Sequence, residues 1–227
     1  MKKAWFHIHT KYSFDSLLDP KVIIKEAMKE RIDYLFITDH NTIKGAKEAE
    51  KYVLKNKIPI KIVVGSEIST DIGDIIGIFL KKDILARKYD EVILEIKSQE
   101  GLVVLPHPYK GHDLFKIHFL KNIDFVETFN SRTTIQEDEF ARKLKNHLKA
   151  HEICGCDAHL IKDLNNCYLQ FKNLSEFKKG NLKINIFKKT KLCDISKTQI
   201  IKYIKKRNYS NLFPELIKYL GYHALRL

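Results

Sequence analysis

Histidines and acids fall in short, separated clusters along the first 160 or so residues: His7 and His9, Asp15, Asp39 beside His40, Glu67, His107, a carboxylate and an amide within residues 127–130, and Asp157 near His159. Most of these clusters directly follow a short apolar stretch rich in β-branched residues. One histidine in such a place is more often a core or surface residue than a ligand, but the joint occurrence at corresponding strand ends asks for a common cause. Imidazoles and carboxylates buried together are costly unless a cation compensates them. Nitrogen and oxygen donors without thiolate suit zinc, manganese or iron, and more than four donors imply more than one ion. Close metal pairs suit phosphoester hydrolysis, because they acidify a water and neutralise the phosphoryl and leaving oxygens. Neither a GxSxG elbow nor a Gly-rich phosphate loop occurs, which disfavours a triad hydrolase or a nucleotide triphosphatase.

The elements that must position these residues follow from periodicity. Strands are expected at residues 4–9, 34–38, 60–67, 75–80, 102–106, 125–129 and 153–156, with helices at 20–28, 43–56, 89–99 and 136–149. Asp19 followed by Pro20 reads as a helix N-cap and first helical residue. Residues 68–71 and 75–80, joined through Gly73, read as a hairpin inserted among parallel strands. Alternation in His7-Ile8-His9 points both rings to one face. In parallel α/β and barrel folds the strand C-termini are where loops converge, so distant residues meet there. After Asn165 the pattern loosens, with two closing helices expected at 198–207 and 214–225. The chain therefore divides into a main domain of residues 1–190 and a helical extension of residues 191–227.

Composition is compatible with this reading without selecting it. The 227 residues are 44% hydrophobic, enough for a buried core, and carry a net charge of +13 that suits an anionic substrate or a Lys-rich solvated surface equally. The start lacks an apolar run behind its basic residues, and no stretch approaches a membrane span, so a soluble cytoplasmic protein is expected. Cys154, Cys156, Cys167 and Cys193 do not make a paired CxxC framework and read as reduced thiols.

In order along the chain, Phe6-His7-Ile8-His9-Thr10-Lys11-Tyr12-Ser13-Phe14-Asp15, Ile37-Thr38-Asp39-His40-Asn41-Thr42, Gly65-Ser66-Glu67-Ile68, Pro106-His107-Pro108, Val126-Glu127-Thr128-Phe129-Asn130-Ser131-Arg132 and Gly155-Cys156-Asp157-Ala158-His159 resemble the PHP (polymerase and histidinol phosphatase) superfamily. The resemblance covers about residues 4–160 and implies an α/β fold, a distorted (β/α)7 barrel, with two or three divalent metal ions (Mn, Zn or Fe). It implies a phosphoesterase close to short members that act on nucleoside 3′,5′-bisphosphates or on the 5′ ends of short oligonucleotides. Carried over by motif, His7, His9, Glu67 and Asp157 would hold one ion, and Glu67 would bridge to a second that His107 also binds. Asp15, His40 and His159 would hold a third. The second ion lacks the further histidine of many relatives, since residues 127–130 offer Glu127 and Asn130 instead.

Three groups stand as catalytic candidates: Asp39, which would act by orienting a ligand; Arg132, as a planar fork on phosphate; and His159, which competes with a metal-bound water to protonate the leaving group. Lys110 and His112 are substrate-binding candidates on a mouth loop, and Tyr109 could stack on a base. The expected substrate is a phosphorylated small molecule or short oligonucleotide, with no membrane partner. The alternatives are a histidinol-phosphate-type metabolite phosphatase, an amidohydrolase, and a non-catalytic metal-stabilised nucleic-acid-binding module.

Overall fold

The computed structural model describes residues 1–117 and 120–225. Its centre is a nine-stranded sheet in the order β7-β6-β5-β4-β3-β2-β1-β8-β9. β1 (Lys2–Ile8), β2 (Tyr34–Ile37) and β3 (Lys61–Thr70) run parallel, with α1 (Pro20–Lys29) and α2 (Lys44–Lys55) as crossovers. β4 (Gly73–Ile78) turns back antiparallel to β3 through Gly73, whose φ of 126° is open to glycine and strained for other residues. β5 (Leu102–Leu105) is again antiparallel to β4, and β6 (Phe125–Asn130) and β7 (His151–Gly155) then continue parallel.

The sheet curls until its ends meet. Cys156 N donates to Phe6 O at 2.9 Å, Ala158 N to His7 O at 3.0 Å and His9 N to Ala158 O at 2.9 Å, so the chain leaving β7 pairs with the second half of β1. The first half of that same edge is taken by β8 (Cys167–Phe171), which is antiparallel to β1 and carries β9 (Lys183–Ile186) outside it. The seven expected strands therefore form a nearly closed α/β barrel. β8 and β9 escaped the sequence reading because β8 follows a short 3-10 turn and β9 is a four-residue strand with no buried position.

Local chemistry explains the helix starts. Asp19 accepts from Lys21 N at 2.8 Å ahead of Pro20, and Thr134 and Glu137 form a reciprocal capping box at the head of α4 (Ile135–Leu148). α3 (Tyr89–Ser98) matches expectation to within a residue. The two closing helices start earlier than expected: α6 is Leu192–Lys205 and α7 is Tyr209–Ala224. Pro214 lies inside α7 instead of starting it, and the carbonyl it leaves without a donor belongs to Ser210, which is exposed to water.

The short helix α5 (Leu174–Lys178) has one buried residue, Phe177, whose ring lies 5.0 Å from Phe36, 5.3 Å from Phe125 and 5.2 Å from Phe171. It joins the start of β6 to β2 and β8, at the opposite end of β6 from Glu127 and Asn130. Phe177→Ala is expected to lower stability by about 3–5 kcal/mol, the usual cost of emptying a buried aromatic position. Urea unfolding measures it, and a loss below about 1 kcal/mol would show that the cluster collapses around the gap.

Candidate metal centre

The barrel's C-terminal edge gathers the expected ligands into three overlapping sets: His7, His9 and Asp157; His7, Glu67 and His107; and His9, Asp15, His40 and His159. Within each set the ligand atoms lie within 4.8 Å of one another. Glu67 is the hub. Its Oε2 stands 3.4 Å from His7 Nε2, 3.3 Å from His9 Nε2 and 3.3 Å from His40 Nδ1, while Oε1 stands 3.0 Å from His107 Nε2. Asp157 Oδ1 faces His7 Nε2 at 3.7 Å and His9 Nε2 at 3.5 Å, and Asp15 Oδ2 faces His159 Nε2 at 3.1 Å and His40 Nε2 at 3.2 Å. Donor atoms about 2.1 Å from one ion stand roughly 3.0–3.5 Å apart, so most of these separations suit shared cations.

A second observation agrees. His7 Nε2, His9 Nε2, His40 Nδ1 and Asp15 Oδ1 are buried without any hydrogen-bond partner, a costly arrangement that bound cations would relieve. The donor set therefore fits divalent metals. Above it lies a cavity of about 490 Å³ bordered by Lys110, Arg132, Gln199, Lys202 and Lys206.

The backbone is bent to make this possible. His7, His107 and Asp157 have φ of 64°, 27° and 45°, values that cost a non-glycine residue about 1–3 kcal/mol each. The β1–β2 register shifts between Trp5 and Ile8, so a bulge at His7, not plain strand alternation, brings its ring to within 5.0 Å of that of His9.

Residues 6–208 match the family model of the PHP domain. The chain belongs to the PHP domain family. It is 41% identical over 146 residues to an uncharacterized protein of Methanocaldococcus jannaschii, covering 57% of this chain and 82% of the relative. A stretch of 70 residues is 34% identical to a 5′-3′ exoribonuclease of Haemophilus influenzae, covering 31% of this chain and only 24% of that enzyme. Among solved structures, the fold resembles a two-domain protein of Bacteroides vulgatus described as containing a predicted PHP-like metal-dependent phosphoesterase. The TM-score is 0.64 at 18% identity, over 82% of this chain and 64% of that one, so this chain spans less than two thirds of its length.

Behind the candidate ligands, a ring of acceptors sets which imidazole nitrogen carries the proton. His7 Nδ1 meets Glu127 Oε1 at 2.7 Å, His107 Nδ1 meets Lys110 O at 3.2 Å and His159 Nδ1 meets Asp157 O at 2.8 Å. His9 Nδ1 meets Ser13 Oγ at 3.0 Å, and that hydroxyl spends its own proton on Asp39 Oδ1 at 2.9 Å. All four partners must accept, so in each neutral ring Nδ1 donates and Nε2 keeps a lone pair for the cluster.

This geometry corrects several sequence expectations. Glu127 faces the back of His7 and also accepts from His107 N at 3.0 Å and Asn130 Nδ2 at 2.8 Å, so neither it nor Asn130 supplies the second ion's missing donor. Asp39 stands where the sequence expects an orienting group: it is fully buried and accepts from Thr10 N, Thr10 Oγ1 and Ser13 Oγ. It orients His9 only through Ser13. His159 Nε2 faces Asp15 Oδ2 at 3.1 Å, which places the ring in a candidate ligand set. His112 turns away from the mouth, bonding Asp74 O at 2.8 Å, and Tyr109 packs on Phe140 at 5.4 Å. Lys110 and Arg132 do border the cavity.

Two glycines that carried no signal in the sequence make room for these acceptors. A Cβ on Gly155 would collide with the Glu127 carboxylate, and one on Gly45 with Asp39 and Thr10. Gly155→Ala is expected to displace Glu127 and weaken metal binding about 10–100-fold, the usual cost of losing a ligand's supporting partner. Metal titration by calorimetry measures this, and unchanged affinity in the folded variant would remove Glu127 from that role.

Electrostatics within the cluster follow from burial set against close opposite charge. Burial would lower His40, but Glu67 and Asp15 outweigh it and raise the ring to about 9. Burial likewise opposes the rise of His7, which the Glu127, Glu67 and Asp157 carboxylates hold well above its ordinary value. His9 goes the other way, to about 3, through burial and its neighbours His159 and His40. Burial would raise Glu67, yet His40 and His7 keep it well below the usual carboxylate range. Rings held above their ordinary values keep their protons at neutral pH and must lose them before a metal can bind. Metal affinity should therefore rise with pH up to about 9 and fall below it. Calorimetry of manganese binding at pH 7.5 in buffers of differing ionisation enthalpy should report net proton release, and its absence would contradict this account.

Proposed function

We propose that this protein hydrolyses phosphoesters of nucleotides or short oligonucleotides, using divalent metal ions held by His7, His9, Asp15, His40, Glu67, His107, Asp157 and His159. The observation that carries the reading is Glu67, whose Oε2 faces His7, His9 and His40 while its Oε1 faces His107, beneath a cavity with a cationic rim. A carboxylate that bridges in this way requires closely spaced cations, and close cations are suited to a phosphoryl group between them. When bound, such ions supply the Lewis acidity that activates water and neutralises the phosphoryl oxygens.

The chain's own groups orient and compensate. Arg132 is 7% exposed and borders the cavity, with Nη2 donating to Thr198 and Nη1 buried without a partner, so the guanidinium keeps donor capacity for an incoming phosphate. Lys110 Nζ stands 4.0 Å from Asp157 Oδ2, adding a second cation beside the ligands. Glu127, Ser13 and the carbonyls behind the rings keep the Nε2 lone pairs aimed inward throughout the reaction. The family membership and the partial likeness to an exoribonuclease support a phosphoester substrate, and within that class favour a nucleic-acid end.

The test is a panel with added manganese: a generic aryl phosphate, histidinol phosphate, a 3′,5′-bisphosphate, and short 5′-phosphorylated RNA and DNA. Hydrolysis that chelator abolishes and manganese restores is expected, with preference for the nucleotide substrates. His9→Ala, which removes a donor common to two sets, should lower kcat/KM about a thousandfold or more, since losing even one charge-stabilising donor costs 10²–10³. Full turnover in a folded His9→Ala protein, or oligonucleotide binding that survives metal removal without any hydrolysis, would sink the proposal.

A further inference from the structure

Five histidines serve the three ligand sets, and four of them are aimed by a group at the back of the ring: Glu127 for His7, Ser13 for His9, Lys110 O for His107 and Asp157 O for His159. His40 is the exception. Its Nδ1 stands 3.3 Å from Glu67 Oε2 and its Nε2 3.2 Å from Asp15 Oδ2, so both nitrogens face carboxylates of the ligand sets. Neither meets an acceptor outside those sets among the described residues. The His40 backbone is fixed, through its N–H to Ser13 Oγ at 3.0 Å and a bridge to Glu67, but these contacts leave the side-chain torsions free. Something other than a hydrogen bond from behind has to hold the plane of this ring.

Phe14 is placed to do so. Its ring stacks on that of His40 with centroids 4.3 Å apart and an interplanar angle of 12°, and His9 stands against His40 at 4.7 Å and 31°. An imidazole flanked in this way cannot turn over about its Cβ–Cγ bond without driving an edge into a neighbouring ring. A phenyl ring has no hydrogen-bonding atom, so it fixes the plane and leaves both nitrogens to the ligand sets. Phe14 is in turn covered by α6, whose Lys202 and Lys206 ammoniums lie 5.4 Å and 3.7 Å from its centroid, drawn to the negative face of the ring.

The loop does not need this ring for its own shape. Ser13 N donates to Thr10 O at 2.9 Å, Tyr12 Oη to Glu48 Oε2 at 2.6 Å and Lys11 Nζ to Asp19 Oδ2 at 2.8 Å. Lys205 of α6 adds its donations to the carbonyls of Lys11, Ser13 and Ser16. Phe14 is only half-buried and stands outside the apolar core. What a half-buried aromatic contributes on a loop so well tied is the flat face it turns to His40.

We propose that Phe14 is a positioning residue for the third ligand set: its stacked ring, pinned from outside by Lys202 and Lys206, holds the plane of His40 so that the imidazole stays aimed at the cation it shares with Asp15 and His159. Occupancy of that set is thereby tied to α6, while the sets built on His7, Glu67, His107 and Asp157 are aimed without it. The inference rests on the metal-holding part of the proposed function and needs no substrate for its test.

Manganese binding is followed by calorimetry, with equilibrium dialysis and metal analysis counting the ions, and Asp15→Ala marks which binding event belongs to the third set. Phe14→Ala, and Phe14→Leu, which restores bulk without a flat face, should weaken that event about 10–100-fold and the others by less than about twofold. Phe14→Tyr keeps the face and should bind as the unmutated protein does. Thermal melting checks that the variants fold. An unchanged third event in Phe14→Leu, an equal weakening of every event, or a Phe14→Tyr protein as impaired as Phe14→Ala overturns the positioning role and leaves the ligand sets standing. An unmutated protein with no event that Asp15→Ala abolishes refutes the third set itself, and the role of Phe14 with it.

Discussion

Four imidazoles crowd one buried carboxylate, Glu67, at separations of 3.0–3.4 Å, and the chain is built around making that crowding tolerable. The crowding leaves ring nitrogens and an Asp15 oxygen buried without partners. A protein interior does not keep such groups unless the fold forces them together and a ligand repays the cost. Both conditions have visible causes here. The force is supplied by barrel closure, since the hydrogen bonds from Cys156 and Ala158 to β1 fix Asp157 and His159 against His7 and His9. The repayment is the favourable field for cations between shared donors.

Closure alone would leave the rings badly aimed, and the backbone strain at His7, His107 and Asp157 is where the aim is corrected. Strain of this kind persists only where its surroundings over-determine it. Around His7 they do: Trp5 and Phe6 are buried on the strand before it, Glu127 grips its Nδ1, and the chain after β7 pairs on both sides of it. Rigidity matters to the chemistry because an imidazole free to rotate could offer either nitrogen. Here the carboxylate, the hydroxyl and the two carbonyls behind the rings remove that freedom.

Which of this could be read from residue order alone depended on whether type and position were enough. The convergence of these side chains was legible because histidine and carboxylate at the ends of apolar strands carry their meaning in type and place together. Glu127 was half legible: its strand end was found, but a register shift between Glu127 and Phe129 turns the carboxylate behind His7 instead of beside the metals. His112 misled because a mouth loop was assumed where the chain in fact folds back onto the β3–β4 turn at Asp74. Gly45 and Gly155 act through empty space, which has no signature in a single sequence. The α6 lysines were hidden for a different reason. Among the chain's 41 Lys and Arg, three on a late helix do not stand out until the fold lays that helix across the cavity.

That placement changes how the C-terminal helices relate to the centre. Lys205 donates to the carbonyls of Lys11, Ser13 and Ser16, and the loop so held carries the hydroxyl that orients His9 and the carboxylate of Asp15. On its other side α6 holds Arg132 through Thr198. One helix therefore touches a ligand-bearing loop and a cavity-lining cation at once, and a shift in it would move both. The match to the PHP domain runs through all of α6 and stops near the start of α7, so the family segment includes the helix with both contacts. α7 packs on α6, and its exposed Phe213, Ile217 and Leu220 leave it little anchorage besides that neighbour. Its contribution to the centre then passes through α6, which is held over the cavity by the hydrogen bonds of Lys205 and Thr198 and by the ion pair of Asp194 with Lys162.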